Sequence, residues 1–531
     1  MNHKSAHYVL RKDVNLNCDN YIYFDRSKFT YYYLRSSKIQ LMRLHAKLSL
    51  LRFLLCVFLL AITACNIPSA SPAVPTTFIS PASTALPAVT STPPPDTPTP
   101  IPARAAYILN TTMDYDRHII SVDETIAYPN HTGQSLDKLE LAIVPNLWPN
   151  CFTLTSLSLD DIQITDYTIE AHRLEVSLPA PLQPDSVSTL TLSYKLFLPF
   201  LDQAHSLRAR TFGYSDIQMN LVNWYPFIVP FKDGEWILHE PWSHGEYLVY
   251  DLADFEVNLK FSNPENKPVV ATSGYAESNG ESTRYTLTEG RAFALSASRD
   301  FQVSTMKVDD ITVYSYYFPI YKQAGLAAMT ASAQAIKVYS QRFGPYAHKT
   351  LSIVVADFKD SMEFSALYFH SRSFYDLYDG TVQNYLNIVA VHETGHQWWF
   401  EQVANDQALE PWLDESLTTY SEALYYETLY PNLVPWWWSY RIDFFKPSGY
   451  INIPVYDGQN DETYKHIVYF NGAHFLQDIR QRIGDEAFFA FLQDYFMQGK
   501  GRIVSRVDFF RILDEHTNVD YADIVRGYFK R

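Results

Sequence analysis

Two histidines four residues apart, with a glutamate beside the first, stand in the stretch "VHETGHQWWF" at 391–400. On a helix, residues four apart share a face, so His392 and His396 can reach one cation from adjacent turns. Glu393 points about 100° away, where it meets a metal's water rather than the metal. This is the H-E-x-x-H arrangement of two imidazole ligands and a carboxylate general base. The competing reading is an aromatic-rich core helix whose histidines are satisfied by ordinary hydrogen bonds. A catalytic zinc needs a third protein ligand. Glu415 offers one, in "EPWLDESLTTYSEALYYE", which reads as a second helix; eighteen residues separate it from His396. Glu422, seven residues further on the same helical face, is a candidate for orienting a ligand.

The motif "HETGH", the eighteen-residue spacing and the glutamate of "WLDES" together resemble the gluzincin pattern of the M1 aminopeptidase family, whose second motif usually reads W-L-N-E-G. Upstream, "DSMEFSALYF" resembles that family's G-x-M-E-N segment. Downstream, "VYFNGAHFL" resembles its Y-x-K-G-A segment. The resemblance implies one Zn2+ per chain, held by His392, His396 and Glu415, with Glu393 as general base. It also implies that Tyr469 stabilises the oxyanion and that Glu363 binds the free α-amine of a peptide substrate. The reaction so implied is release of N-terminal residues from peptides. The resemblance covers about 105–531 and is strongest between Asp360 and Ala473; "NWYP" and "GEYLVYDLADFEV" extend it into the first half. The departures from the family's pattern include Asp360 for Gly, Phe364 for Asn, Asp414 for Asn and Asn471 for Lys. The change at Phe364 keeps open an oligopeptidase or another small-molecule hydrolase on the same site. From a different class, the alternative is a non-catalytic lipid-anchored binding protein on a peptidase scaffold. The chain ends soon after the catalytic region, so a more open cleft than in larger relatives is expected.

The elements that must position these residues fall into two blocks. From 104 to 308, short alternating runs such as "HIISVDETIAY" and "STLTLSYKLFL" are punctuated by Gly, Asn and Pro, which predicts antiparallel β structure. From 309 to 531 the text is mixed. A helix is expected at 324–343, a buried strand at 351–358, and amphipathic helices at 469–483 and 486–497 on either side of Gly484. The fold class read from this is multidomain α+β. An antiparallel β sandwich or saddle precedes a thermolysin-like α+β catalytic domain with C-terminal helices, the latter as the resemblance implies. "PWWWSY" at 435–440 reads as packing or as a cleft wall, and His370 shows no ligand spacing.

The formal net charge of −16 argues against nucleic-acid binding, which needs basic patches. Aromatic residues make up 15% of the chain, with 39 Tyr, which suits β-rich packing and aromatic-lined clefts. Cys18, Cys56, Cys65 and Cys151 are too unevenly placed to suggest a disulfide framework. Ahead of Cys65 stands "MRLHAKLSLLRFLLCVFLLAITAC", a basic start followed by an apolar run of twelve residues. That run is too short for a bilayer of about 30 Å but suits a signal peptide. Ile62 to Cys65 resembles the bacterial lipobox, whose cysteine is lipidated. Residues 42–64 are therefore expected to be a lipoprotein-type signal peptide and 65–103, rich in Pro, Ser and Thr, a tether. Residues 1–41 are out of place ahead of such a signal, and Met42 is the expected start. The expectation is an extracytoplasmic, membrane-anchored protein.

Overall fold

Alternation builds the first half of the chain. In the strand Ile119–Pro129, Ile120, Val122, Glu124 and Ile126 are buried while their neighbours are more exposed, as a pleat with one face on a core requires. The computed structural model describes residues 22–25, 30–33, 103–201, 211–358 and 360–531. Ile22–Asp25 and Thr30–Tyr33 pair as an antiparallel hairpin within the unit Met1–Pro95. The readings made for 34–102, including Cys65, lie outside the described residues.

Within Asp96–Arg531, a single compact unit, the first half contains an eight-stranded sheet. Its order is Tyr275–Asn279, Ser282–Gly290, Ala253–Phe261, Ala105–Asp114, Ile119–Pro129, Val187–Phe197, Phe152–Leu159, Ile162–Gln163. The pairings are antiparallel except that Ala253–Phe261 runs parallel to Ala105–Asp114, a departure from the all-antiparallel expectation. A run of about 140 residues separates these two strands in sequence, long enough for the crossover that a parallel pair needs. Two four-stranded sheets and a two-stranded pair, Phe231–Lys232 with Glu235–Trp236, complete the β-rich half among the described residues. Tyr107, Tyr225 and Phe255 join the layers through ring contacts of 5.1–5.9 Å.

The second half begins with a five-stranded sheet. We label its strands β1 (Gln302–Val308), β2 (Ile311–Tyr317), β3 (Thr350–Ala356), β4 (Met362–Phe364) and β5 (Leu367–Ser371). Their order in the sheet is β1-β2-β3-β5-β4. β3 is buried at every position, as its continuous apolar text predicts. The antiparallel edge strand β4 carries Glu363. Helix α1 (Lys322–Arg342) lies against α2 (Tyr385–Gly395), with the Tyr339 hydroxyl donating to Val391 O at 3.1 Å. Next comes α3 (Trp412–Leu429), followed by a π-helical turn at His466–Asn471 and then α4 (Gly472–Ile483), α5 (Asp485–Gly499) and α6 (Arg506–His516). Gly484, at φ 85°, separates α4 from α5. Among the described residues, no helix is long and apolar enough to cross a membrane.

Two expectations change in detail. Tyr469 belongs to a π-helical turn rather than to the amphipathic helix expected at 469–483. The metal-motif helix ends at Gly395 with His396 as its cap, so Trp398 and Trp399 lie beyond it. Phe400, at φ 125°, takes a backbone conformation that cannot continue a right-handed helix. Both tryptophans are buried, their indole N–H groups donating to Gly344 O at 2.8 Å and Ser421 Oγ at 3.0 Å.

Candidate active site

α2 starts on Asn384, whose side chain accepts from the Asn387 N–H, and it is buried along almost its whole length. Helical spacing places His392 and His396 on one face, with their Nε2 atoms 3.2 Å apart. Glu415 comes from the first turn of α3. Its Oε2 lies 3.4 Å from His392 Nε2 and 3.6 Å from His396 Nε2. That oxygen is buried and has no hydrogen-bond partner. With ligand bonds of about 2.0–2.2 Å, neighbouring donors around a tetrahedral zinc are about 3.3–3.6 Å apart. The three separations therefore fit one zinc ion, and the orphaned Glu415 oxygen is what such an ion would satisfy. Ligand atoms of Glu363, Glu393 and His396 also lie within 4.8 Å of one another. Both acids thus border the metal position without being needed as its ligands.

Each imidazole is held from behind. His392 Nδ1 lies 2.9 Å from Glu422 Oε1. The Glu422 carboxylate, fully buried, accepts from Arg441 through two bonds of 2.8 and 2.9 Å and from Trp437 Nε1 at 3.0 Å. His396 Nδ1 lies 2.7 Å from Asp414 Oδ1, and Gln407 donates to Asp414 Oδ2 at 2.7 Å. Carboxylates on Nδ1 fix the tautomer that turns Nε2 toward a metal. Glu422 thus stands where its heptad spacing suggested. Asp414 appeared in the sequence only as a departure from the family's Asn, and its place beside the third ligand was the available signal. Arg441 gives no signal of its own in the sequence, and Trp437 stands in "PWWWSY", which reads as packing or as a cleft wall.

The site's charge follows from burial against pairing. Burial alone would raise Glu415, but the imidazoles of His392 and His396 and the Tyr469 hydroxyl bring it down to about 2. Burial works to lower both histidines, yet Glu415 and Glu422 hold His392 up, and Glu363 and Asp414 hold His396 up. Burial also pushes Glu363 well above the usual carboxylate range; the charge of His396 opposes this and Glu246 adds to it. Glu246, from the β-rich half, is a site residue that the sequence reading did not single out.

Tyr469 stacks on the His392 ring at 5.8 Å and donates its hydroxyl to Glu415 Oε1. Gly472 makes this packing possible, because a Cβ there would fall 1.9 Å from Ser416 Oγ. Ser416, next to Glu415, donates to Val468 O at 2.7 Å. Glu363 borders a cavity of about 80 Å3 lined by Trp148, Phe212 and Leu248 from the first half and Met362 and Phe364 from β4, with Glu246 at its edge. His370 is a satisfied core histidine: Nε2 donates to Leu386 O at 3.0 Å, and burial lowers it to about 3. Cys151 is buried too, and its thiol is pushed up to about 12.

The peptidase family M1 domain matches residues 327–528. The chain is also similar to "Aminopeptidase 2" of Candida albicans, at 24% identity over 307 residues, 54% of this chain and 32% of that protein. It therefore spans about a third of the length of that curated relative. Among solved structures, the M1 zinc metallopeptidase of Deinococcus radiodurans superposes with a TM-score of 0.58 at 19% identity, over 80% of this chain and 93% of that one. A mutant form of the same protein, bound to a Tyr-Ser-Ala substrate, gives a TM-score of 0.56 at 19% identity over 82% and 96%. The family M1 domain match takes in most of the second half of the chain. The two halves together have the fold of a two-domain M1 zinc metallopeptidase.

Proposed function

We propose that the protein is a zinc-dependent aminopeptidase that hydrolyses the first peptide bond of peptides with a free amino terminus. The observation that carries this reading is the set of three buried donors, His392 Nε2, His396 Nε2 and Glu415 Oε2, 3.2–3.6 Å apart with Glu393 and Glu363 at their edge. Zinc bound by those donors supplies a Lewis acid that acidifies water and polarises a carbonyl. The chain's own residues do the rest. Glu393 accepts the proton of the attacking water and delivers it to the leaving nitrogen. The Tyr469 hydroxyl, close to the metal ligand Glu415, donates to the oxyanion that develops on the scissile carbonyl. Glu363 accepts hydrogen bonds from the substrate ammonium, with Glu246 adding negative charge nearby. The aromatic and aliphatic cavity beside Glu363 receives the first side chain, so apolar N-terminal residues are favoured.

The test compares free and N-acetylated peptides of one sequence, with and without a chelator. Only free peptides should be cleaved, a chelator should stop the reaction and zinc should restore it. Glu393→Gln should lower kcat by about 10²–10⁴-fold. Equal cleavage of acetylated peptides would replace the aminopeptidase reading with an endo-acting oligopeptidase. Localisation is a separate proposal, supported by the sequence of 42–65 alone: a lipid on Cys65 anchors the protein outside the cytoplasm. Cys65→Ala should move the protein from the membrane fraction to the soluble one.

A further inference from the structure

Between the amine anchor and the metal-binding helix lies a connection that the chemistry above does not use. β4, which carries Glu363, passes into β5 through Ser365 and Ala366 alone. Ala366 lies in the left-handed region at φ 53°, a conformation disfavoured for any residue with a Cβ, so its surroundings must hold it. Gln397, the residue after His396, is buried against this turn. Its Nε2 donates to Phe364 O at 3.0 Å, and its Oε1 accepts from the Ala366 N–H at 2.9 Å. From the other side, Ser365 Oγ accepts from the N–H groups of Arg291 at 2.8 Å and Ala292 at 3.2 Å, and donates to the buried carboxylate of Glu401.

We propose that Gln397 is a positioning residue for the substrate. Its amide locks the turn at 364–366 to the end of α2 and so sets where Glu363 stands relative to His396 and Glu393. The inference rests on the aminopeptidase reading of the site. A side-chain amide is suited to the task because it presents one acceptor and one donor side by side without charge. It meets here one N–H and one C=O that flank a single residue. Since Gln397 adjoins the ligand His396, the anchor and the metal site are joined across one residue of backbone. A misplacement of about 1 Å between such groups costs on the order of 10²-fold.

The test is a double-mutant cycle on the zinc-loaded, full-length protein, reading kcat and KM for a free tripeptide and its N-acetylated twin. Gln397→Leu should keep its zinc and raise KM for the free peptide by about 10-fold or more, with a smaller change in kcat. Because Gln397 acts through Glu363, the same change should add almost nothing in a Glu363→Ala background. A merely structural role would impose its defect equally in both backgrounds, and that result overturns the proposal. So does a folded Gln397→Leu protein that keeps the wild-type preference for free over acetylated peptide. If Gln397→Leu fails to fold, Ser365→Ala loosens the same turn from the other side and should give the same KM effect and the same non-additivity; additivity there overturns the proposal. A wild-type enzyme that cleaves both peptides equally overturns the aminopeptidase reading itself, and with it this role. That outcome shows in the wild-type arm, before any variant is compared.

Discussion

Glu415 uses its two oxygens differently: Oε2 faces the two imidazoles, while Oε1 receives the Tyr469 hydroxyl. Tyr469→Phe keeps the ring stacked on His392 and removes only that hydroxyl. If the hydroxyl serves the oxyanion, kcat should fall by about 10²–10³-fold with KM little changed, which steady-state kinetics on one free peptide will show. Glu422→Gln acts through His392 instead. It leaves the three ligands intact but weakens the acceptor on Nδ1, so zinc affinity should fall by about 10–100-fold, read by competition with a chromogenic chelator. At this scale the sequence was informative where chemistry repeats at a fixed helical spacing, as for His392, His396 and Glu422. It was silent on Arg441, which reaches Glu422 from beyond the end of α3.

Among the elements, the join between the π-helical turn and α4 does most to place the chemistry. Gly472 brings that join against α3 at Ser416, one residue from Glu415. Gly472→Ala must push the two helices apart. The expected cost is about 1–3 kcal/mol of stability from overpacking, with a loss of kcat as Tyr469 leaves the His392 ring. Denaturant melts and kinetics on the same preparation will separate the two effects. The helices α4 and α5 follow from amphipathic periodicity and from Gly484 as a breaker. The π-helical turn and the end of α2 at Gly395 do not. Both depend on what the backbone meets in its neighbours, and hydrophobic pattern carries no record of that.

Across the molecule, Arg291 joins the halves. It is buried and donates to Tyr250 O on its own side and to Glu401 O, Gln402 O and Arg502 O across the interface. Burial lowers its guanidinium to about 10. Arg291→Met would leave Tyr250 O and Glu401 O without their donor, while Gln402 O and Arg502 O keep the N–H groups of Gly501 and Ala404. At about 1–3 kcal/mol for each unsatisfied buried group it should cost several kcal/mol, which thermal melting will read. Glu124 provides the pH prediction. Its carboxyl is fully buried in the β-rich core, and burial raises it well above the usual range, with the Tyr194 hydroxyl a lesser opposing influence. The folded state therefore keeps a proton that the unfolded state has lost. This destabilises the fold increasingly as pH rises from the ordinary carboxylate value toward the raised one. Glu124→Gln should remove that slope, so its melting temperature should gain on wild type as pH increases from 5 to 8.

By itself the sequence singled out the candidate metal-binding pair, the candidate base beside it and the division into β-rich and mixed halves. Each of these follows from a local period: 3.6 residues for a helix face, two for a strand face. The match of three further motifs to a family pattern supplied Glu415, Tyr469 and Glu363. Only the tertiary structure decided that Asp414 braces His396, that the imidazole Glu422 braces is that of His392, and that Gly472 seats Tyr469 on His392. The same holds for Glu246, which reaches from the other half toward the cavity of Glu363. Those contacts join residues far apart in the chain, and their distances are set by how buried surfaces fit together, which no spacing along the sequence encodes.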